Sequence, residues 1–171
     1  MDSTFKFKLV LFGNPAVGKT SIVERYINDK FEADYISTLG YNVYEKILNI
    51  KNSQVSFLIY DIGGQEQFRN LRKQYANGAR AAVLVYDVTN RESFDNIKNW
   101  YKDLMEFTNN AYFILIGNKV DLEGDRQVKR EDGEKLANEL LALEFFETSA
   151  KYNIDVDKAF QKFAEKIVEN I

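Results

Sequence analysis

The sequence contains no cysteine, no histidine and only one proline. Without cysteine the chain can form no disulfide, has no thiolate nucleophile and cannot bind zinc through sulfur. Without histidine it lacks the commonest general base and metal ligand. Any catalysis must therefore use carboxylates, amides, hydroxyls, lysines, backbone groups or a hard cation such as Mg²⁺. This restriction suits phosphoryl transfer, in which positioning and electrostatics supply most of the catalysis.

The chain also has little charge imbalance and no long apolar run. Its formal net charge is −3, so we expect no nucleic-acid partner and no general attraction to an anionic membrane. The N-terminal residues lack a signal-peptide core, position 2 is aspartate where myristoylation needs glycine, and Ile171 ends the sequence without a prenylatable cysteine. We therefore expect one cytoplasmic domain, residues 1–171, with no direct membrane anchor unless a lipidated tail follows.

Residues 13–20 match G-x-x-x-x-G-K-[ST], the pattern of a phosphate-binding loop. An apolar run precedes the loop and a helix-like segment follows it, so backbone N–H groups and a helix N-terminus would surround an anion. Lys19 would place its charge beside the β- and γ-phosphates, and the Thr20 hydroxyl would bind Mg²⁺. A plain glycine turn is the alternative. The candidate phosphate-binding residues are Gly13, Asn14, Pro15, Ala16, Val17, Gly18, Lys19, Thr20 and Ser21.

Apolar runs alternate with helical patterns along the whole chain. The predicted strands are 6–12, 41–50, 55–60, 81–86, 112–116 and 144–147, and the predicted helices are 19–28, 67–77, 91–106, 130–141 and 156–168. The polar turn Lys51-Asn52-Ser53 joins the second and third strands into a hairpin. This order predicts an α/β fold, with a mostly parallel six-stranded sheet, one antiparallel hairpin strand and helices on both faces.

Polar motifs follow several strands at their carboxyl ends, where sheets of this kind bind ligands. Asp61 begins the run Asp-Ile-Gly-Gly-Gln, and its carboxylate could hold Mg²⁺. Gly64 would let the backbone approach a γ-phosphate and donate an N–H group to it. A strand-ending turn is the alternative, since aspartate and glycine are common in turns. Upstream, Thr38 could add its hydroxyl to Mg²⁺ or be an ordinary loop threonine.

The segment Asn118-Lys119-Val120-Asp121 predicts which base is bound. A carboxylate at Asp121 can accept hydrogen bonds from N1–H and the 2-amino group of guanine, whereas adenine lacks that amine and its N1 is an acceptor. Sites built on such bonds can reject analogues without them by about 10⁴–10⁵-fold. A surface loop with no role is the alternative. Ser149-Ala150-Lys151 ends the last strand at the same edge, where the Ala150 N–H could reach guanine O6. Together these segments predict binding of GTP and GDP.

These motifs, in this order, resemble those of the Ras superfamily of small GTPases over nearly the whole chain. The Rab branch is the most similar, for example in Tyr35-Ile36-Ser37-Thr38, in 64–68 and in 147–151. The resemblance implies the small GTPase (G domain) fold, Mg²⁺ as cofactor and slow hydrolysis of GTP to GDP and phosphate. It implies that Thr38 is the switch I threonine and that Tyr35 can fold over the phosphates. It also implies that Phe31 packs edge-on against guanine and that Gln65 orients the attacking water.

The resemblance further implies protein partners, namely effectors, exchange factors and GTPase-activating proteins that contact the two switches. The aromatic partner surface would consist of Val43, Tyr60 and Tyr75, since Tyr60 stands where Rabs carry tryptophan. Pro15 stands where Ras proteins carry the glycine nearest the γ-phosphate. Proline removes one N–H donor and occupies space that an arginine finger from an activating protein would need.

Two other functions remain open on the sequence. A scaffold that binds nucleotide with little turnover is suggested by Pro15, and the absence of phosphate release from GTP would favour it. An ATPase or small-molecule kinase would leave Asp121 unexplained, and the sequence shows no obvious lid or second substrate pocket. Preferential binding of ATP over GTP would favour that third function.

Overall fold

The computed structural model describes residues 3–31 and 40–171. Its strands are β1 (Ser3–Phe12), β2 (Tyr41–Ile50), β3 (Ser53–Ile62), β4 (Ala81–Asp87), β5 (Tyr112–Asn118) and β6 (Phe145–Thr148). Its α-helices are α1 (Lys19–Asn28), α2 (Arg69–Ala76), α3 (Arg91–Asp95), α4 (Ile97–Phe107), α5 (Arg130–Leu140) and α6 (Val156–Glu169). Short 3₁₀ turns cover Glu66–Phe68 and Glu123–Asp125. None of the helices in these described residues is long and apolar enough to cross a membrane.

The strands form a single six-stranded sheet in the order β2-β3-β1-β4-β5-β6. β2 runs antiparallel to β3, and every other neighbouring pair is parallel. The predicted α/β fold and its hairpin are therefore confirmed. Every residue of the central strand β4 is buried, as expected for a parallel strand covered by helices on both faces.

Two apolar layers lie on opposite faces of the sheet. Because side chains alternate along a strand, Leu9 and Leu11 of β1 belong to one layer and Val10 and Phe12 to the other. The first layer packs against α1 and α6, and the second packs against α4 and α5. Fully burying a large apolar side chain contributes about 1.5–3 kcal/mol, so these layers fix the strands whose carboxyl ends carry the polar motifs.

Several element boundaries differ from the sequence prediction. β1 begins at Ser3 and β3 extends from Ser53 to Ile62, because backbone pairing of Ser3 with Ser53 continues beyond the apolar residues. The predicted helix 91–106 is divided at Asn96, whose φ and ψ are −78° and −9°. Its side-chain amide donates to Asn14 Oδ1 at 3.0 Å, so this break lies beside the phosphate loop. The predicted helix 67–77 begins only at Arg69, after a 3₁₀ turn.

Candidate nucleotide-binding site

The loop between β1 and α1 needs glycine at two positions because other residues approach its backbone closely. A Cβ added to Gly13 would lie 2.3 Å from the carbonyl oxygen of Val85. A Cβ added to Gly18, whose φ is +103°, would lie 2.2 Å from Nδ2 of Asn118. The loop is therefore packed against β4 on one side and the Asn118 segment on the other, as a phosphate loop at the sheet edge requires.

Lys19 directs its ammonium group into this loop. Its Nζ donates to the carbonyl oxygens of Gly13 at 2.7 Å and Asn14 at 2.9 Å. Burial lowers the pKa of Lys19 to about 8, and the nearby Asp61 carboxylate partly opposes that shift. The buried cation thus lies inside the ring of backbone that would surround a phosphate.

Asp61 and Thr20 form the candidate metal site. Asp61, at the end of β3, is 0% exposed, and its Oδ2 accepts a hydrogen bond from the Thr20 hydroxyl at 2.6 Å. Its Oδ1 has no hydrogen-bond partner among the described residues, and burial raises the pKa of this carboxyl. A buried acceptor without a donor needs a partner, and a hard cation bound by carboxylate, hydroxyl and phosphate oxygens would satisfy it. These residues therefore fit Mg²⁺.

The described residues contain no group of three or more acidic side chains that could hold a metal alone. Mg²⁺ is usually bound through one or two carboxylates together with substrate phosphates and water. A site with a single carboxylate is thus the kind that forms fully only when nucleotide is bound.

The segment after Asp61 packs against the phosphate loop. A Cβ added to Gly64 would lie 2.3 Å from the carbonyl oxygen of Gly13 and 3.0 Å from the backbone nitrogen of Pro15. Gln65 is half-buried and has an extended backbone at φ −66°, ψ 148°, immediately before the 3₁₀ turn. The fold therefore brings the predicted catalytic glutamine next to the loop that would hold the phosphates.

Asn118 and Lys119 join the base segment, residues 118–121 that are predicted to contact guanine, to the phosphate loop. Asn118 Nδ2 donates to the carbonyl of Val17 at 3.1 Å, while its Oδ1 accepts from the Thr148 hydroxyl at 2.9 Å and from the Ala150 N–H at 3.4 Å. Lys119 Nζ donates to the carbonyl of Ala16 at 2.7 Å and pairs with Asp87 at 2.8 Å. These contacts set the distance between the phosphate and base positions.

Asp121 is oriented by the segment that follows β6. The Ser149 hydroxyl donates to Asp121 Oδ1 at 2.8 Å. Ser149 and Ala150 are buried, whereas Lys151 is exposed. Upstream, the Glu147 carboxylate accepts from Arg126 Nη1 at 2.6 Å and from Nη2 at 3.0 Å. This bidentate pair fixes the end of β6, and with it the residues predicted to contact guanine.

The structure brings together most of the predicted site residues. Phe31 is half-buried against the apolar layer beneath α1 and α6, and Ser21 lies in α1. Tyr35 and Thr38 lie in 32–39, outside the described residues. Sequence reasoning assigned no role in the site to Asp87 and Thr148, which hold Lys119 and Asn118. A signal existed for both, because each is a polar residue that ends a strand at the same edge of the sheet.

The predicted aromatic surface contains an additional tyrosine. The ring centroids of Tyr60 and Tyr75 are 5.3 Å apart, and Val43 pairs directly with Tyr60 across the hairpin. Tyr41, which is 40% exposed, lies 4.3 Å from Tyr75 and 6.3 Å from Tyr60 between ring centroids. The ammonium of Lys8 lies 4.9 Å from the Tyr60 centroid. We use the name tyrosine cluster for Tyr41, Tyr60 and Tyr75.

Comparison with known proteins agrees with the family resemblance found in the sequence motifs. Residues 8–169 match the model of the Ras family. Human Ras-related protein Rab-3D is 40% identical over 168 residues, which cover 98% of this chain and 76% of that protein. Rat Ras-related protein Rab-13 is 40% identical over 163 residues, covering 95% of this chain and 80% of its own length. The Caenorhabditis elegans Ras-related protein Rab-3 is 39% identical over 168 residues, covering 98% and 76%.

Proposed function

The chain belongs to the Ras family of small GTPases, and from that premise we propose how its residues bind and hydrolyse GTP. The proposal treats residues 1–171 as one cytoplasmic G domain that uses Mg²⁺ and turns over slowly. One observation carries it: Asn118 bonds to both the phosphate loop and the segment after β6. That bridge supports a single site in which the buried cation Lys19 would bind phosphate and the Asp121 carboxylate would contact the base.

Phosphate binding would centre on Lys19. Its ammonium donates to the carbonyls of Gly13 and Asn14, and because an ammonium has three donors it would also donate to the β- and γ-phosphate oxygens, which carry full negative charge. Backbone N–H groups of the loop and the N-terminus of α1 donate to the same phosphates. Pro15 has no N–H to donate, so this loop offers one donor fewer than a loop with glycine there.

Mg²⁺, when bound, would neutralise charge on the β- and γ-phosphate oxygens. The Thr20 hydroxyl and the Asp61 carboxylate would hold it, and Thr38 of switch I would add a further hydroxyl. Thr20 already donates to Asp61 at 2.6 Å, so the two ligands are together before nucleotide arrives. Deprotonated Asp61 is the binding form, because a protonated carboxyl cannot give both oxygens to hydrogen bonds and a cation.

Hydrolysis depends on Gln65 and the backbone at Gly64. The Gln65 amide would orient the attacking water, and the Gly64 N–H would donate to the γ-phosphate. The sequence has no histidine, the commonest general base, and the proposal assigns no side chain to accept the proton of the water. The chemistry is therefore positioning and charge stabilisation, and the intrinsic rate is slow until a partner adds to it.

Guanine recognition uses the opposite end of the cradle. Asp121 would accept from N1–H and the 2-amino group, and the Ala150 N–H would donate to O6. Ser149 holds the Asp121 carboxylate, while Lys119, Lys151 and Phe31 would cover the ring. A carboxylate in this position faces an acceptor on adenine, so it favours guanine.

The switch would act through partner surfaces that depend on the γ-phosphate. Residues around Thr38 and around Gln65 would be ordered by GTP and released after hydrolysis. Effectors, exchange factors and activating proteins would contact these segments together with Val43 and the tyrosine cluster. Function in signalling or vesicle trafficking follows from the family, with Rab-like partners as the proposed class.

A single-turnover assay of GTP hydrolysis with Mg²⁺ tests the proposal. Gln65→Leu should slow hydrolysis by at least about tenfold, because it removes the amide that orients water. Gln67→Leu is a matched control, since Gln67 is exposed in the 3₁₀ turn that follows Gln65, and it should leave the rate within about twofold. Equal rates for Gln65→Leu and the wild type would remove Gln65 from the mechanism. No phosphate release by the wild type over several hours would instead favour a nucleotide-binding scaffold.

A further inference from the structure

Helix α2 contains a buried arginine that the mechanism above does not use. Arg72 is 1% exposed, although arginine is rarely buried unless it is paired. Among the described residues its guanidinium forms no ion pair with a carboxylate, and burial lowers its pKa. Removing a cation from water is costly. Other contacts must therefore hold this side chain.

Those contacts are two backbone carbonyls and one aromatic face. Arg72 Nη1 donates to the carbonyl oxygens of Gly63 at 2.9 Å and Gln65 at 2.7 Å. Its Cζ lies 4.8 Å from the ring centroid of Trp100 in α4. Hydrogen bonds from a charged donor are the stronger kind, and cation–π contacts strengthen when they are desolvated. The guanidinium thus holds the backbone on both sides of Gly64.

Trp100 continues this chain of contacts to the phosphate loop. Its Nε1 donates to Asn14 Oδ1 at 2.8 Å, and Asn96 donates to the same oxygen at 3.0 Å. The two ends of the chain also meet directly, because Gly64 packs against Gly13 and Pro15. Arg72, Trp100 and Asn14 therefore connect the segment that carries Gln65 to the loop that would carry the phosphates.

We propose that Arg72 is a positioning residue for GTP hydrolysis. It fixes the backbone at Gln65 relative to the phosphate loop, through Trp100 and Asn14. This inference rests on the proposed function, in which Gln65 orients the attacking water. Because Arg72 donates to the backbone carbonyls of Gly63 and Gln65 in the segment that carries the catalytic glutamine, its loss should slow hydrolysis while nucleotide affinity stays the same.

Two substitutions at Arg72 separate positioning from packing. Arg72→Met fills a similar volume against Trp100 but cannot donate to the two carbonyls, whereas Arg72→Lys keeps a charged donor. We expect single-turnover hydrolysis to fall at least about tenfold in Arg72→Met and to recover in part in Arg72→Lys. The dissociation rate of GDP should change by no more than about twofold in either variant.

Arg69→Met is the matched control on the same helix. Arg69 is 37% exposed, pairs with Asp103 and Glu106, and stacks on Phe107 instead of Trp100. Its loss should leave the hydrolysis rate within about twofold of wild type. Trp100→Phe removes the N–H donor to Asn14 and should also slow hydrolysis. The double variant with Arg72→Met should be no slower than Arg72→Met alone, because both act through one chain of contacts.

The results of these assays either support or overturn the positioning role of Arg72. Unchanged hydrolysis in a folded Arg72→Met protein overturns the inference, and so does an equal loss of rate and of GDP affinity, which would indicate a purely structural role. If Arg72→Met does not fold, the rates of Arg72→Lys and Trp100→Phe are judged by the same criterion. A wild-type protein that binds no GTP, or does not hydrolyse it, contradicts the proposed function and not the role of Arg72 alone.

Discussion

At the scale of single residues, the ammonium of Lys19 donates to two backbone carbonyl oxygens, those of Gly13 and Asn14. The nearby Asp61 carboxylate favours the charged amine, but it does not outweigh burial. Its pKa in the folded protein, about 8, therefore lies below the ordinary value of 10.5. The unfolded chain binds more protons between these two values, so the stability of the nucleotide-free protein should rise with pH from about 8 to 10.5.

Nucleotide binding should reverse this shift. Phosphate oxygens beside the amine would favour its charged form, so the pKa of Lys19 should rise well above 8. At pH 8, where the free protein has lost about half of this proton, binding of GTP in EDTA should take up about half a proton per molecule. Calorimetry in two buffers of different ionisation enthalpy measures the uptake. Lys19→Arg, which stays protonated, should show almost none, and equal uptake by both proteins would contradict the assignment.

At the scale of elements, the phosphate loop and the base segment meet at one glycine. Gly18 has a φ of +103°, and an added Cβ would lie 2.2 Å from the Asn118 amide. Alanine there would combine backbone strain of about 1–3 kcal/mol with loss of a buried hydrogen bond costing about 1–3 kcal/mol. We expect Gly18→Ala to weaken binding of both GTP and GDP by at least about thirtyfold, since 1.4 kcal/mol is about tenfold.

Gly78 provides the control for this substitution. Its φ is +83°, but nothing lies within 4 Å of an added Cβ. Gly78→Ala therefore introduces the same kind of backbone strain without the collision. Its melting temperature should fall by a few degrees while its affinity for nucleotide, measured by fluorescence titration, stays at the wild-type value. If Gly18→Ala binds as tightly as Gly78→Ala, the close packing at Asn118 does not matter for the site.

Elements with strong local patterns could be predicted from the sequence, and contacts between distant elements could not. The bounds of α1 and β2 agree with the predicted 19–28 and 41–50, because apolar periodicity marks both. The division of 91–106 was missed because its partner, Asn14, lies 82 positions away. Tyr41 was missed because its contact with Tyr75 joins β2 to α2. Arg72 was missed because a charged side chain in a polar helix normally faces water.

At the scale of the whole molecule, the site is assembled from segments that are far apart in sequence. The phosphate loop, the end of β3, the Asn118 segment and the Ser149 segment all lie at the carboxyl ends of parallel strands. Contacts such as Asn118 to Val17 and Lys119 to Ala16 close the site across more than a hundred positions. They exist only when the sheet is formed, so nucleotide binding and folding of the sheet are coupled.

That coupling predicts a selective thermal shift. A ligand that binds only the folded state adds about 2.7 kcal/mol at a concentration of about 100 times its Kd. For a domain of this size each kcal/mol raises Tm by roughly 2–4 °C, so saturating GTP or GDP with Mg²⁺ should raise Tm by about 5–10 °C. Because adenine presents an acceptor to Asp121, ATP at the same concentration should raise Tm by less than about 1 °C. Differential scanning calorimetry measures all three, and an equal rise with ATP would overturn the assignment of guanine to this site.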